Sequence, residues 1–249
     1  MSKKIFITVI VIIALIFGVV YFNRSGKRAN TSGVSNISTS STISGISVPQ
    51  LTTEKSETEY ATVDESYPKV DGQKYPELFS YIKKSKQDFL DESASITKED
   101  AIKMNLGGDR KYNFVLNTRF ATSTKTITYI VEVYTYTGGA HGATTDATFT
   151  YDKRGKYVVL DNVLTFPYLE KISNLARTYF YDKLVQDSQK QTIDTGTEPV
   201  KENFSVWYMT DNSIVFMFGQ YSIGPYVLGI QEFPLNKQSI KDIINPNYI

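Results

Sequence analysis

Two short stretches hold most of the side chains able to do chemistry or recognition. The first is Thr137-Gly138-Gly139-Ala140-His141-Gly142, which contains the single histidine of the 249-residue chain. An imidazole titrates near neutrality and serves as base, sensor or metal ligand. With one histidine a two-histidine metal motif cannot form within the chain, and any Ser-His-Asp triad would have to use His141. Cysteine is absent, which excludes a disulfide framework, a thiolate zinc site, an iron–sulfur cluster and a cysteine nucleophile. The glycines invite a phosphate-loop reading, but GxxxxGK[ST] is missing and the stretch joins two strands instead of a strand and a helix. No serine or acid in a recognisable nucleophile motif accompanies His141. We therefore read it as an imidazole that bonds backbone carbonyls and holds the loop, with Gly138, Gly139 and Gly142 supplying positive φ or room for a neighbour.

The second stretch runs from Gln220 to Gly229, QYSIGPYVLG, and sets Tyr221 and Tyr226 around a Gly224-Pro225 bend. Tyrosine brings a large rigid contact area with a polar tip, as recognition surfaces use it; the bland alternative buries both rings in the core. Carboxylates suited to a glycosidase pair are available at Asp146, Asp152, Asp161, Asp211 and Glu232, near loops or strand ends. Nothing in their spacing sets one pair apart, and turns or solvated faces explain most of them.

The elements that must position these loops are read from periodicity. PELFSYIKKSKQDFL opens on Pro76 and gathers Leu78, Phe79, Ile82, Phe89 and Leu90 near one helical face. The stretch after Pro167, PYLEKISNLARTYFYDKLV, has an apolar stripe through Leu169, Ile172, Leu175, Ala176 and Tyr179. TITYIVEVYTYT alternates as a strand with one well-buried and one partly covered face, and TDATFTY alternates in the same way, so TGGAHG is the tip of an antiparallel hairpin. Asp152-Lys153-Arg154-Gly155 makes a turn, and FSVWYMTDNSIVFMF makes a second hairpin about Asp211-Asn212-Ser213. A strand is expected from Tyr226 to Phe233, others around ETEYATV and KYNFVLNTRFATS, and a short helix between Lys237 and Asn245.

Ahead of all this, Ile5–Phe22 is eighteen residues without a charge, flanked by Lys3 and Lys4 on one side and Arg24, Lys27 and Arg28 on the other. At 1.5 Å per residue it spans roughly 27 Å as a helix, close to the ~30 Å hydrocarbon core. It lacks a good small-x-small cleavage site, so we read an uncleaved signal anchor that exports the C-terminal bulk of the chain. Residues 23–59 are Ser/Thr-rich with few aromatics and read as a flexible linker. The first 29 residues carry five of the 27 basic side chains and no acid, leaving 22 basic against 26 acidic in the remainder. That deficit argues against nucleic acid as the partner.

TYTGGAHG, the TFTYD strand, LEKISNLAR, NFSVWYMTDNSIVFMF and YSIGPYVLG, in this order, resemble the C-terminal extracytoplasmic domain of RsiV-type anti-sigma factors, also found in PdaC-type peptidoglycan deacetylases. YPKVDGQKYPELFSYIKKSKQDFL resembles the companion PdaC-like domain that precedes it. The resemblance implies a noncatalytic envelope module, similar in the RsiV type to a receptor for lysozyme. It carries the ligand-binding residues over to Gly138, Gly139, His141, Gly142, Tyr221, Pro225, Tyr226 and Gly229. On this reading Met1 to Lys4 are too few to serve as a sigma-binding segment and one histidine is too few for a polysaccharide-deacetylase metal site, so neither output is expected of these residues.

The expectation is an α+β fold with antiparallel or mixed sheets and two main packed helices, after one transmembrane helix and a linker. The expected division is anchor 1–22, linker 23–59, PdaC-like domain 60–133 and RsiV-like domain 134–249. The expected role is binding of peptidoglycan or a lysozyme-like wall hydrolase outside a bacterial cell membrane, with no catalytic residue, metal or cofactor. The alternatives are a wall hydrolase using loop carboxylates and a structural surface protein without a discrete ligand.

Overall fold

The computed structural model describes residues 49–184 and 189–249, with the backbone of a two-residue ladder joining Thr42–Ile43 to Ile46–Ser47. The apolar segment 5–22 lies outside the described residues. Among those described, no helix is long and apolar enough to cross a membrane.

The chain forms a five-stranded mixed sheet from β1 (Leu51–Glu57), β2 (Ala61–Pro68), β3 (Tyr112–Thr122), β4 (Thr126–Tyr136) and β5 (Ala143–Asp152), in that spatial order. Only β2 and β3 are parallel. Parallel neighbours need a crossover, which here is α1 (Pro76–Ala94) and α2 (Lys98–Met104). Pro76 at the first helical position costs no hydrogen bond, and Leu78, Ile82 and Phe89 turn inward as their spacing predicts. Thr97 caps α2 by accepting from the Asp100 N–H at 3.1 Å.

Period-two alternation gives this sheet two chemically different faces. One carries Phe114, Leu116, Ile127, Tyr129, Val131, Val133, Phe149 and Tyr151, all buried against α1. Phe89 of α1 meets Phe114 with ring centroids 5.3 Å apart. The cross-strand partners on the opposite face are Arg119 with Ile130, Glu132 with Asp146, and Thr128 with Thr150. That polar face receives the second sheet.

The second sheet is an antiparallel meander of β6 (Trp207–Met209), β7 (Ser213–Phe218) and β8 (Gln231–Asn236), in the order β8-β7-β6. It is preceded by α3 (Leu160–Val163), α4 (Leu169–Leu184) and α5 (Lys190–Gly196). Ile172, Ala176 and Phe180 of α4 pack with Phe216, Phe218 and Phe233 in a second core. Phe180 and Phe218 meet edge to face at 5.1 Å. The two sheets are tied where the Trp207 N–H donates to Thr148 Oγ1 at 3.0 Å and Arg119 pairs with Glu232.

The mixed α+β architecture and the hairpins about TGGAHG and Asp211 follow the sequence reading. Three details differ. Leu51–Glu57, inside the stretch read as linker, is an edge strand. Residues 134–152, grouped by sequence with the C-terminal domain, complete the first sheet, because β4 continues through Tyr134 and β5 pairs back along it. The strand expected from Tyr226 starts only at Gln231, since Tyr226–Leu228 forms a 3₁₀ turn ended by Gly229 with φ 62°.

Candidate functional site

The β4–β5 tip and the loop after β7 meet at one end of the five-stranded sheet. Gly138 and Gly139 turn the tip with φ of 96° and 91°, in the left-handed region that glycine enters without a Cβ penalty. Gly142 serves differently. A Cβ there would come within 2.4 Å of the Tyr134 ring, so only hydrogen fits while the tyrosine lies against the backbone.

Opposite, Gln220 accepts through Oε1 from the Thr144 N–H at 3.0 Å, which ties the second loop to the start of β5. His141 and Tyr226 stack, with ring centroids 4.2 Å apart and planes inclined by 26°. Both donate to one acceptor: His141 Nδ1 lies 2.9 Å and Tyr226 Oη 3.1 Å from the Gly142 carbonyl oxygen. A carbonyl only accepts, so the Nδ1 nitrogen carries a proton. The imidazole therefore holds its loop through a carbonyl, as the sequence suggested.

Two large side chains near this junction are exposed. Tyr221 is 58% exposed and Val227 is 85% exposed. The Tyr221 ring lies 5.7 Å from that of Tyr226. Its backbone has φ 66°, a conformation that costs a non-glycine residue about 1–2 kcal/mol. The loop is braced beneath, where Gly196 at the end of α5 comes so close to Ser222 that a Cβ would lie 1.9 Å from its carbonyl oxygen. Of the residues expected at the site, Gly138, Gly139, His141 and Gly142 line the tip. Tyr221, Pro225, Tyr226 and Gly229 belong to the facing loop.

Residues 54–144 match the family model described as Deacetylase PdaC, and residues 161–238 match the one described as Protein of unknown function (DUF3298). The chain carries the PdaC and DUF3298 regions in tandem. Over 97% of its length it is 26% identical to the peptidoglycan-N-acetylmuramic acid deacetylase PdaC of Bacillus subtilis (strain 168), and it spans 50% of that protein's length. Two solved structures share the fold. A member of the DUF3298 family from Bacteroides fragilis NCTC 9343 is 18% identical with a TM-score of 0.55, covering 80% of this chain and 95% of that one. A DUF3298 family protein from Pseudomonas aeruginosa PAO1 is 16% identical with a TM-score of 0.52, covering 81% and 95%.

His141 belongs to the PdaC region and Tyr226 to the DUF3298 region, so the stacked pair joins the two. A second group that spacing did not single out lies along the same seam. Asp146 of β5 faces Glu132 directly across β4, and Glu232 of β8 approaches from the DUF3298 side. Both Asp146 carboxylate oxygens are buried without a hydrogen-bond partner. Burial, with the charges of Glu132 and Glu232, pushes this carboxyl from 3.8 up to about 6, against the opposing pull of Arg119. Arg119 pairs with Glu232 at 3.4 Å, and Tyr208 Oη donates to the same carboxylate at 3.1 Å. Register could have revealed the Glu132–Asp146 pair; only tertiary packing brings Glu232 to it. Among the described residues, no three His, Cys, Asp or Glu side chains form a group able to hold a metal ion.

Proposed function

We propose that this chain is a noncatalytic binding module of the bacterial cell envelope, held outside the membrane by residues 5–22, that captures a lysozyme-like wall hydrolase at the His141–Tyr226 junction. The observation that carries the reading is Tyr221, which keeps a strained left-handed backbone while its ring stands in solvent. Strain of this kind persists where the surrounding structure imposes it, and it gathers at functional positions. Tyr221 and Val227 of the same loop both expose apolar surface that a cleft on another protein could bury, and aromatic anchors of this sort dominate interface energetics. The PdaC-type relative acts, by its name, on peptidoglycan, which supports a wall setting and makes peptidoglycan the other ligand to examine.

The test is calorimetric titration of the full-length chain in detergent with lysozyme and, separately, with soluble peptidoglycan fragments. Wild type is expected to bind lysozyme saturably without releasing product. Tyr221→Gly, which relieves the strained backbone, should retain stability and lose at least tenfold in affinity. Lysozyme affinity unchanged in Tyr221→Gly, or no lysozyme binding at all, removes this surface from the proposal. The carboxylate group gives a catalytic reading less support, since the Asp146 oxygens lie buried at the seam between sheets.

A further inference from the structure

The β4–β5 hairpin has a second end. There the β3–β4 turn, the Asp152–Gly155 turn and the C-terminal residues enclose an open cavity of about 1080 Å³. Eleven residues of β4 separate it from the TGGAHG tip, roughly 35 Å at strand rise. The C-terminal wall is fixed in place: the Asn245 N–H donates to the Val163 carbonyl at 2.8 Å, and its side-chain amide donates to the Asn162 carbonyl at 3.1 Å.

The charge of this cavity is one-sided. Lys125, Lys153, Arg154 and Lys156 line it with two acids, Asp152 and Asp161. Both acids are already engaged. Asp152 accepts the Arg154 and Lys156 backbone N–H groups at 2.8 and 2.9 Å and pairs with the Arg154 guanidinium at 3.3 Å. Asp161 accepts from Tyr168 Oη and from Lys201. These contacts hold both carboxyls below their ordinary range despite partial burial, so they stay ionised and spent. Lys125, Lys153 and Lys156 are exposed, and among the described residues their ammonium groups have no partner. The rest of the lining is not generically polar. Tyr157 and Tyr248 lie half-buried in the walls, and Asn247 presents an unengaged side-chain amide. Flat rings offer apolar faces to a pyranose, and an amide donates and accepts at once, which suits vicinal hydroxyls.

We propose that this cavity binds an acidic saccharide polymer, with Lys125, Lys153 and Lys156 on its anionic groups and Tyr157, Tyr248 and Asn247 on its sugar units. The anionic group can be a carboxylate carried by a peptidoglycan strand or a phosphodiester in a sugar–phosphate wall polymer; the chemistry is shared. Bound there, the polymer would leave the His141–Tyr226 end free, so the two ends are independent and binding in the cavity does not rest on the capture of a hydrolase.

Full-length chain in detergent is titrated with four probes: soluble peptidoglycan strands, a glycosylated poly(glycerol phosphate), neutral chitohexaose and inorganic polyphosphate. One or both of the first two should bind, with affinity falling steeply with salt as condensed counterions are released, and which one binds names the source. The Lys125→Ala/Lys153→Ala/Lys156→Ala variant changes only exposed side chains and should lose at least tenfold for that probe while binding lysozyme as wild type does. Tyr248→Phe keeps the ring and should bind normally, which separates stacking from hydroxyl contact. The proposal is overturned if neither acidic polymer binds, if the triple variant binds as wild type, or if chitohexaose binds as tightly. Polyphosphate binding as tight as that of the acidic saccharide overturns the sugar part of the proposal.

Discussion

His141 lies on the ring of Tyr226, 4.2 Å between centroids, and both side chains donate to the single carbonyl of Gly142. The contact joins residues 85 positions apart, so loop order at this end depends on each partner. Tyr226→Phe keeps the stack and removes one donor, which should cost about 1 kcal/mol. The expected local signature is faster amide exchange at the Thr144 N–H, whose acceptor Gln220 belongs to the released loop. Unchanged exchange at that amide would mean the stack alone orders the loops.

Gly196 supplies the footing beneath the same loop. An added Cβ would lie 1.9 Å from the Ser222 carbonyl oxygen, a backbone atom that cannot swing aside. Gly196→Ala should therefore displace residues 219–229, destabilise the protein by about 2 kcal/mol and weaken capture at Tyr221 without touching it. Thermal melts paired with lysozyme titration check this; full stability and full affinity together would disprove the role given to the close approach.

Helices and hairpins with strong periodicity were legible from the chain alone. Pro76 and the apolar positions after it mark α1, and the Gly-rich tip between two alternating runs marks β4 and β5. Helix α2 was missed although Thr97-x-x-Asp100 is a capping signal, because its seven residues bury only Ala101 and show no stripe. Strand β1 was missed for the converse reason. LTTEKSE is exposed along nearly its whole length and is held by its ladder to β2, so it has no alternation to read. The tip and the facing loop were both read from the chain as candidates, but their meeting was not, since no local pattern encodes a contact between His141 and Tyr226. The basic cavity escaped for the same reason: its lysines come from two turns, and a third wall comes from the chain's last residues.

Beneath α1 lies the most sensitive ion pair of the first sheet. Glu65 is only 2% exposed and is paired with Lys86, itself about one-third exposed. Removing the lysine strands a buried carboxylate, the arrangement that costs about 3–5 kcal/mol, whereas replacing both groups with apolar ones is often neutral. Lys86→Ala should thus lower the melting temperature by about 6–20 °C. Glu65→Leu/Lys86→Leu should recover most of the loss; a double variant as unstable as the single one would show that the pair contributes more than mutual neutralisation.

Asp146 makes the opposite prediction, because its carboxylate is destabilising where it stands. Glu132 on β4 and Glu232 on β8 face it with like charge, Arg119 on β3 offsets them in part, and burial raises its pKa from 3.8 to about 6. The folded state therefore holds this proton more tightly than the unfolded chain. Below about pH 4 both states are protonated and nothing is lost. As pH rises from about 4 through 6 the unfolded state ionises first, so stability falls across that window and is flat above it. The full shift corresponds to about 3 kcal/mol, reduced to about 1–2 because part of the residue remains in solvent. Asp146→Asn should raise the melting temperature by about 2–8 °C at pH 7.5, with the gain vanishing as pH falls toward 4. Melts of both proteins across pH 4 to 8 would check this, and a gain that does not shrink in acid would show that the seam owes nothing to the Asp146 charge.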